Sequence, residues 1–320
     1  MNIAFAPMEG ITGYVYRNAH KHFFPGTDRY FSPFLVPTQN RRFTSREKND
    51  ILPEHNQSLT LIPQILTNDG ENFIWAAGEL KAMGYHHVNL NLGCPSGTVV
   101  SKGRGAGFLA DPQKLKRFLD KIFENSQVEI SIKTRIGKED PDEFYRLIEI
   151  FNQYPLKELI IHPRIQKDFY KNTPNWDMFE FGQRESRNPV CYNGNLFARK
   201  DWEELKKKFP QTDHIMLGRG LVANPALADI IKGGKALTPE TLKAFHDEIC
   251  HGYENVIPGD KNVLFKMKEL WFYLGFLFRE SENLKKKIRK TQKLSEYRAL
   301  VNQIFQQCPM DPEGSYFPQL

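Results

Sequence analysis

The chain has 320 residues, is 40% hydrophobic and carries a formal net charge of +6, which gives ample material for a buried core and more length than one average domain. The modest positive excess leans toward a polyanionic partner without requiring one. Four cysteines (Cys94, Cys191, Cys250 and Cys308) form no Cys-x-x-Cys pair, which argues against a disulfide framework or a metal cluster and for a reducing compartment.

The N-terminal MNIAFAPMEG lacks the basic and long apolar regions of a signal peptide, and no apolar run approaches the roughly 18 residues of a membrane span. A cytoplasmic protein, probed by no membrane and holding no metal, is expected.

Short β-rich runs recur through the first two-thirds, at Ile3–Ala6, Arg29–Leu35, Leu59–Leu66, His87–Leu92, Glu129–Arg135, Glu158–His162, Pro189–Asn193 and His214–Leu217. Helical segments are predicted between them at Gly70–Met83, Pro112–Asn125, Pro141–Gln153, Arg199–Phe209 and Pro225–Lys232, with weak helical signal after the second and sixth strands. Near-continuous apolar strands alternating with helices imply a parallel sheet covered on its faces. Eight units predict a closed (β/α)8 TIM barrel, with a doubly wound open sheet as the alternative.

A barrel demands functional residues at the C-terminal strand ends. Those ends carry Pro7-Met8, Gln64, Asn91 with Cys94, Lys133 with Arg135, His162 with Arg164, Asn193-Gly194 and Gly218-Arg219-Gly220, while the strand interiors read as apolar.

After about residue 236 the strand rhythm stops. Thr238–Tyr253, Lys261–Phe278 and Ser281–Gln306 read as helices, and the Pro- and Gly-containing tail from Pro309 as irregular. The expected division is a catalytic barrel over 1–236 and an all-helical C-terminal domain over 237–320. Basic residues crowd this second part: eleven Lys and Arg against four Glu between Lys261 and Leu300. Trp271, Phe272, Tyr273, Phe276 and Phe278 lie among them. Such interleaving suits an RNA-contacting surface, led by Lys286, Arg289 and Lys290, although the aromatics fit a helical core at least as well.

The segment Asn89-Leu-Asn-Leu-Gly-Cys-Pro-Ser-Gly stands apart. A strand ends at a glycine, and the proline after Cys94 blocks further ladder pairing, so the cysteine sits on a rigid turn. A thiol with an ordinary pKa of about 8.5 stays protonated at neutral pH and can act as an acid; a small filler at a tight turn is the competing use. Gly103, Gly105 and Gly107 do not make a dinucleotide fingerprint, and a mobile loop near the substrate, held in part by Lys102, is expected there. Lys133 in a barrel mouth serves as a Schiff base, a phosphate clamp or a charge beside a cofactor, or it is an ion-paired lysine at the rim. The glycines after the last two strands, with Arg219, suit a phosphorylated ligand.

Taken together, Ala6-Pro-Met-Glu-Gly, Asn91-x-Gly-Cys94-Pro, Lys102-Gly-x-Gly-Ala, Lys133-x-Arg135, His162-x-Arg164, Asn193-Gly194 and Gly218-Arg-Gly resemble the tRNA-dihydrouridine synthase family in order and spacing. The segment Phe265-Lys-x-Lys-x-Leu-Trp-x-Tyr is similar to that family's C-terminal RNA-binding domain. The resemblance implies an FMN-dependent barrel, reduced by NADPH and acting on tRNA, with Pro7, Met8, Gln64, Lys133, His162, Asn193, Gly194, Gly218 and Arg219 on the cofactor. It implies Cys94 as proton donor, Asn91 near the flavin and uracil, and Arg164 near substrate or phosphate, with Lys102 expected on the substrate side. The proline inside His162-Pro-Arg164 departs from the family's usual glycine, and Asn195 stands where an acidic residue is common. A monomer is expected. The rival readings are an FMN barrel acting on a free pyrimidine or other small molecule, a Schiff-base lyase built on Lys133, and a non-enzymatic RNA-binding module.

Overall fold

Every core strand runs parallel to its neighbours, and the sheet returns to where it began. In the computed structural model, which describes residues Met1–Tyr316, the strands are β1 (Asn2–Phe5), β2 (Arg29–Phe31), β3 (Leu61–Ile62), β4 (Gln64–Ile65), β5 (His87–Leu92), β6 (Glu129–Gly137), β7 (Leu159–Ile165), β8 (Val190–Asn193) and β9 (His214–Leu217). Their order is β3-β2-β1-β9-β8-β7-β6-β5-β4. The two outer strands of that order, β3 and β4, are halves of one segment separated only by Pro63. Leu61–Ile62 pairs with β2 and Gln64–Ile65 with β5. Pro63 lacks an N–H for a ladder, yet its carbonyl accepts from Asn89 N at 2.9 Å. Counted as one, this segment closes an eight-stranded barrel, as the strand rhythm predicts.

The barrel helices start at caps written in the sequence. Asp69 caps Gly70–Ala82 through Asn72 N, Asp111 caps Pro112–Asn125 through Lys114 N, and Asn175 caps Trp176–Glu185 through Met178 N. The two weakly signalled intervals do hold helices, Ser45–Ile51 with a Thr44–Glu47 capping box and Trp176–Glu185. A further helix after β1, Tyr14–Phe23, goes unnoticed in the sequence reading because its buried face carries Tyr16, Arg17 and His20 rather than aliphatic residues.

The alternation of each strand separates two cores. Outward residues such as Val88, Leu90, Ile130, Ile132, Leu159 and Ile161 join one continuous cluster with the helices. Ala4, Ala6, Phe31, Ile62, Ile160, Cys191 and Met216 form a separate small cluster inside the barrel. One sector of that interior is polar, contrary to the expectation of apolar strand interiors: Gln64, Asn89 and Ser131 are completely buried and hydrogen-bonded in series.

Beyond the barrel, Pro239–Val256, Asp260–Leu274, Glu282–Lys290 and Leu294–Gln307 are helical. The single helix expected over Ser281–Gln306 is broken at Thr291. That residue is buried and extended, its hydroxyl bonds Glu296, and its carbonyl accepts from Lys268 Nζ. Satisfying these groups off-axis replaces helix continuation. This region shares its hydrophobic cluster with the barrel helices, so one core runs through both parts. The described part of the tail is irregular apart from a bridge between Phe278 and Met310; residues 317–320 lie outside the described residues. No helix among the described residues is long and apolar enough to cross a membrane.

Candidate active site at the barrel mouth

Because side chains alternate, a residue two positions past an inward one also faces inward. The inner rows Gln64, Asn89–Asn91, Ser131–Lys133–Arg135, Ile160–His162–Arg164 and Cys191–Asn193 therefore climb from the interior to the C-terminal mouth. The first loop is pinned from below. Met8 N donates to Thr12 Oγ1 at 2.8 Å, and the fully buried Arg17 donates to the Thr12 carbonyl, the Asp50 carbonyl and Asn56 Oδ1. Pro7 and Met8 are thereby fixed at the rim.

Asn91 is the hub of the cysteine turn. Its Oδ1 accepts from Gly93 N and Cys94 N, both at 3.0 Å, and its Nδ2 donates to Gln64 Oε1 at 2.7 Å. Gln64 Nε2 in turn donates to Asn89 Oδ1 at 2.8 Å, and Asn89 Nδ2 to Ser131 Oγ at 2.9 Å. The chain fixes the amide orientation of Gln64, leaving it one N–H for a ligand. Arg135, also buried, braces the same turn from the next strand: Nε donates to the Gly93 carbonyl at 3.0 Å, while Nη1 and Nη2 reach the Ile165 and Phe169 carbonyls. Cys94 itself is half-buried, and burial pushes its thiol above its ordinary pKa despite the opposing pull of the Ser96 backbone hydrogen bond and of Lys133 and Arg135.

The glycine-rich segment packs directly against the cysteine turn. Gly105 has φ +55°, and a Cβ there would lie 2.7 Å from the Cys94 carbonyl and 3.1 Å from its Cβ. Ala106 N donates to that carbonyl at 3.1 Å. The expected loop is a wall behind the cysteine. Lys102 is exposed on it, and its carbonyl and that of Gly103 accept from Asn68 Nδ2.

The mouth around this turn is cationic. Lys133 has no hydrogen-bond or ion-pair partner among the described residues, and burial together with neighbouring Arg135 lowers its pKa to about 8. Arg164 is 1% exposed and donates to the Asn172 carbonyl, to Asn195 Oδ1 at 3.1 Å and to His162 Nε2 at 2.9 Å. A guanidinium can only donate, so His162 is neutral with its proton on Nδ1. Burial, then Arg135 and Lys133, lower the histidine's pKa far below its usual value, in agreement. Burial and then Arg219 bring Arg164 down to about 10. Arg219 shares Asn195 Oδ1 with Arg164, and its guanidinium lies 4.4 Å from the Tyr170 ring centroid. None of Lys133, Arg135, Arg164 and Arg219 forms an ion pair with a carboxylate among the described residues.

Asn193 is held by the Met216 carbonyl at 2.8 Å. At Gly194 a Cβ would strike Tyr192 Oη at 2.2 Å, so the loop after β8 must pass with bare backbone. Gly218 caps the short helix Arg219–Ala223, against Ala6 and Met8.

The mouth thus brings together Pro7, Met8, Gln64, Asn91, Cys94, Lys133, His162, Asn193, Gly194, Gly218 and Arg219. Arg164 is present but turned into the wall, where it orients His162 and Asn195. Lys286, Arg289 and Lys290 are elsewhere, exposed on Glu282–Lys290. Between that helix and the mouth lies a cleft of about 820 Å³, lined by Met8, Phe265, Phe272, Lys285 and Arg289 among others. The inward rows of polar side chains lie in the mouth beside this cleft.

Sequence reasoning missed the buffering roles of Asn89, Ser131 and Arg17, which look like ordinary strand and helix residues. Period-2 counting from Asn91 and Lys133 would have found the first two. Among the described residues no cluster of His, Cys, Asp or Glu could hold a metal ion.

A mouth that sets a thiol raised above its ordinary pKa beside cations with no carboxylate partner among the described residues suits an anionic ligand lying across the strand ends, with a proton available next to it. A family model described as dihydrouridine synthase matches residues 4–309. A probable tRNA-dihydrouridine synthase of Staphylococcus aureus is 26% identical over 324 residues, covering 96% of this chain and 94% of that protein. A tRNA-dihydrouridine(16) synthase of Ralstonia nicotianae is 28% identical over 247 residues, 74% of each chain. Among solved structures, morphinone reductase in complex with tetrahydroNAD superposes with a TM-score of 0.53 at 12% identity, covering 75% of this chain and 89% of that one. At that identity the likeness is one of fold.

Proposed function

The chain belongs to the dihydrouridine synthase family, and from that premise we propose that it is a flavin-dependent oxidoreductase that reduces the C5–C6 double bond of uridine in tRNA, with FMN in the barrel mouth, NADPH as reductant and Cys94 as proton donor. The observation that carries the reading is a thiol raised above its ordinary pKa beside four cations, Lys133, Arg135, Arg164 and Arg219, that have no carboxylate partner among the described residues. The residues present fit FMN: the bare backbone at Gly194 and Gly218 admits a phosphate beside Arg219, and Lys133 and the Gln64 N–H are left unpartnered in the mouth.

A bound reduced flavin supplies hydride to uracil C6. The protein's own share is geometric and electrostatic. Pro7, Met8, Asn193 and Gly194 would bound the cofactor pocket, and Gln64 and Lys133 would help hold the group there, the lysine supplying positive charge to a reduced flavin. Neutral His162 offers its Nδ1–H to a carbonyl. Asn91 presents Cys94, whose proton goes to C5 as the new C–H bond closes the reduction; solvent then reprotonates the thiolate. A uridine reaches this depth only by leaving its base stack, since its reactive carbons are covered within it. Residues 1–236 form the catalytic unit in this reading, and 237–320 hold the RNA, with Lys102, Lys286, Arg289 and Lys290 exposed toward it.

The test is direct. Purified protein should be yellow, release FMN on denaturation, and with NADPH convert uridine to dihydrouridine in tRNA from a strain lacking the modification, as read by nucleoside mass spectrometry. Protein that stays colourless in added FMN overturns the cofactor. A flavoprotein that reduces free uracil or uridine but leaves tRNA unchanged overturns the substrate and favours the small-molecule reductase.

A further inference from the structure

The guanidinium of Arg219 is enclosed by three aromatic rings from three parts of the chain. Tyr170, in the loop after β7, lies 4.4 Å from it; Phe197, in the loop after β8, and Tyr316, in the C-terminal tail, each lie 5.3 Å away. Its one hydrogen bond among the described residues is to Asn195 Oδ1 at 3.2 Å, which leaves most of its donors for a ligand.

Tyr316 is brought there by a tail that is tied down along its length. Arg279 N donates to the Pro309 carbonyl and Asp311 N to the Leu277 carbonyl. Arg279 pairs with Asp311 at 2.8 Å, and the buried Asn224 Nδ2 donates to the Pro312 and Gly314 carbonyls. The Tyr316 ring is buried against Phe197, Tyr273 and Phe276 at centroid distances of 5.4, 5.5 and 5.0 Å. The tail therefore bridges the C-terminal helices and the last two barrel loops.

We propose that Tyr316 is a positioning residue for the cofactor's phosphate: by closing the aromatic collar around Arg219 it holds the guanidinium toward the Gly194 and Gly218 backbone, and so makes the C-terminal tail part of the cofactor site. The physics is that of a cation over aromatic faces, strengthened where water is excluded. A flexible arginine would lose side-chain entropy on binding the phosphate; one already held by three rings has lost it beforehand. The collar leaves the N–H edges free, because ring faces attract the flat of the guanidinium and not its donors.

This inference rests on the reading of the mouth as an FMN site, and the experiment separates the two. Flavin is removed from the full-length protein, and FMN and riboflavin are titrated back by flavin fluorescence into wild type, Tyr316→Ala, Tyr316→Leu and Tyr316→Phe. The expected result is FMN affinity lowered about tenfold in Tyr316→Ala and Tyr316→Leu, unchanged within about twofold in Tyr316→Phe, and riboflavin affinity unchanged in all. In an Arg219→Ala background the same tyrosine substitutions should have no further effect on FMN. Equal losses for FMN and riboflavin, or an undiminished effect without Arg219, would make the tail a general support and overturn the proposal. So would unchanged FMN affinity in Tyr316→Leu, which keeps most of the buried volume should Tyr316→Ala fold poorly. Wild-type protein that binds neither flavin would instead overturn the FMN reading itself.

Discussion

At the residue scale the proposed reaction turns on Cys94, and the environment of its thiol sets a sign. Burial holds the thiol above its ordinary pKa, and the nearby Lys133 and Arg135 reduce that elevation without cancelling it. The proton is therefore present throughout the neutral range and is lost only as pH climbs past the ordinary thiol value. Single-turnover oxidation of pre-reduced enzyme by tRNA should be flat through the neutral range and fall only at pH above the ordinary thiol pKa. Cys94→Ala should keep FMN, accept electrons from NADPH and bind tRNA, yet lose about 10²–10⁴-fold in that oxidation step. Cys94→Ser, with its weaker acid, should also be slow. Oxidation at the wild-type rate by either variant would remove Cys94 from the chemistry. Cys94 was legible because Gly93 and Pro95 bracket it at a strand end. The protonation of His162 was not, since it depends on Arg164 Nη1 meeting its Nε2, a contact between side chains that no spacing specifies. For the same reason the sequence does not show that the Asn172 carbonyl, Asn195 and His162 take up four of the five N–H groups of Arg164.

At the scale of elements, the strands were readable and the turns between them less so. Each strand of the barrel pairs on both sides and is buried on both faces, so its apolar run is continuous and conspicuous. The split of Leu61–Ile65 into two pairing halves was invisible, because closure is a property of the sheet and not of the segment. The close packing of the Gly103–Gly107 stretch against the cysteine turn was not legible, because glycine marks both freedom and close approach and only the tertiary contacts show the second. Gly105 supplies a test of the second use. An alanine there would adopt an unfavourable φ and press on the backbone of Cys94. Gly105→Ala should cost about 1–3 kcal/mol of stability by chemical denaturation. It should also displace the cysteine turn, so FMN retention and reduction by NADPH persist while uridine reduction falls sharply. Full activity with unaltered stability would show that the wall yields freely, and that the Cys94 turn does not depend on it. The break at Thr291 belongs to the same class of misreading: the helical period runs on through it, and the departure comes from the tertiary partner Lys268.

For the whole molecule the question is how a buried mouth meets a large polyanion. The charge excess that the sequence concentrates between Lys261 and Leu300 divides in the structure. Lys266 and Lys268 turn inward to the Gly10 and Thr291 carbonyls, Lys285 pairs with Glu282, and Arg298 pairs with Glu254. Lys286, Lys287, Arg289 and Lys290 stay exposed without a carboxylate partner among the described residues. The aromatics divide likewise. Trp271 and Phe278 are core, as their composition allowed, while Phe265 and Phe272 are 63% and 58% exposed on the helix that lines the cleft beside Met8. Basic and aromatic groups therefore lie along one route from the outer helix to the mouth, a combination that suits phosphates and splayed bases. If tRNA follows it, reversing Lys286, Arg289 and Lys290 together to Glu should weaken tRNA binding. Three lost phosphate contacts should also lower the magnitude of the log–log salt slope by about two to three. FMN content and NADPH-dependent flavin reduction should be untouched, because none of the three lies in the mouth, and uridine reduction should recover at high tRNA concentration. An identical slope and affinity across the salt series would leave these cations as a solvated face, and the RNA would have to enter from the exposed Lys102 side of the mouth instead.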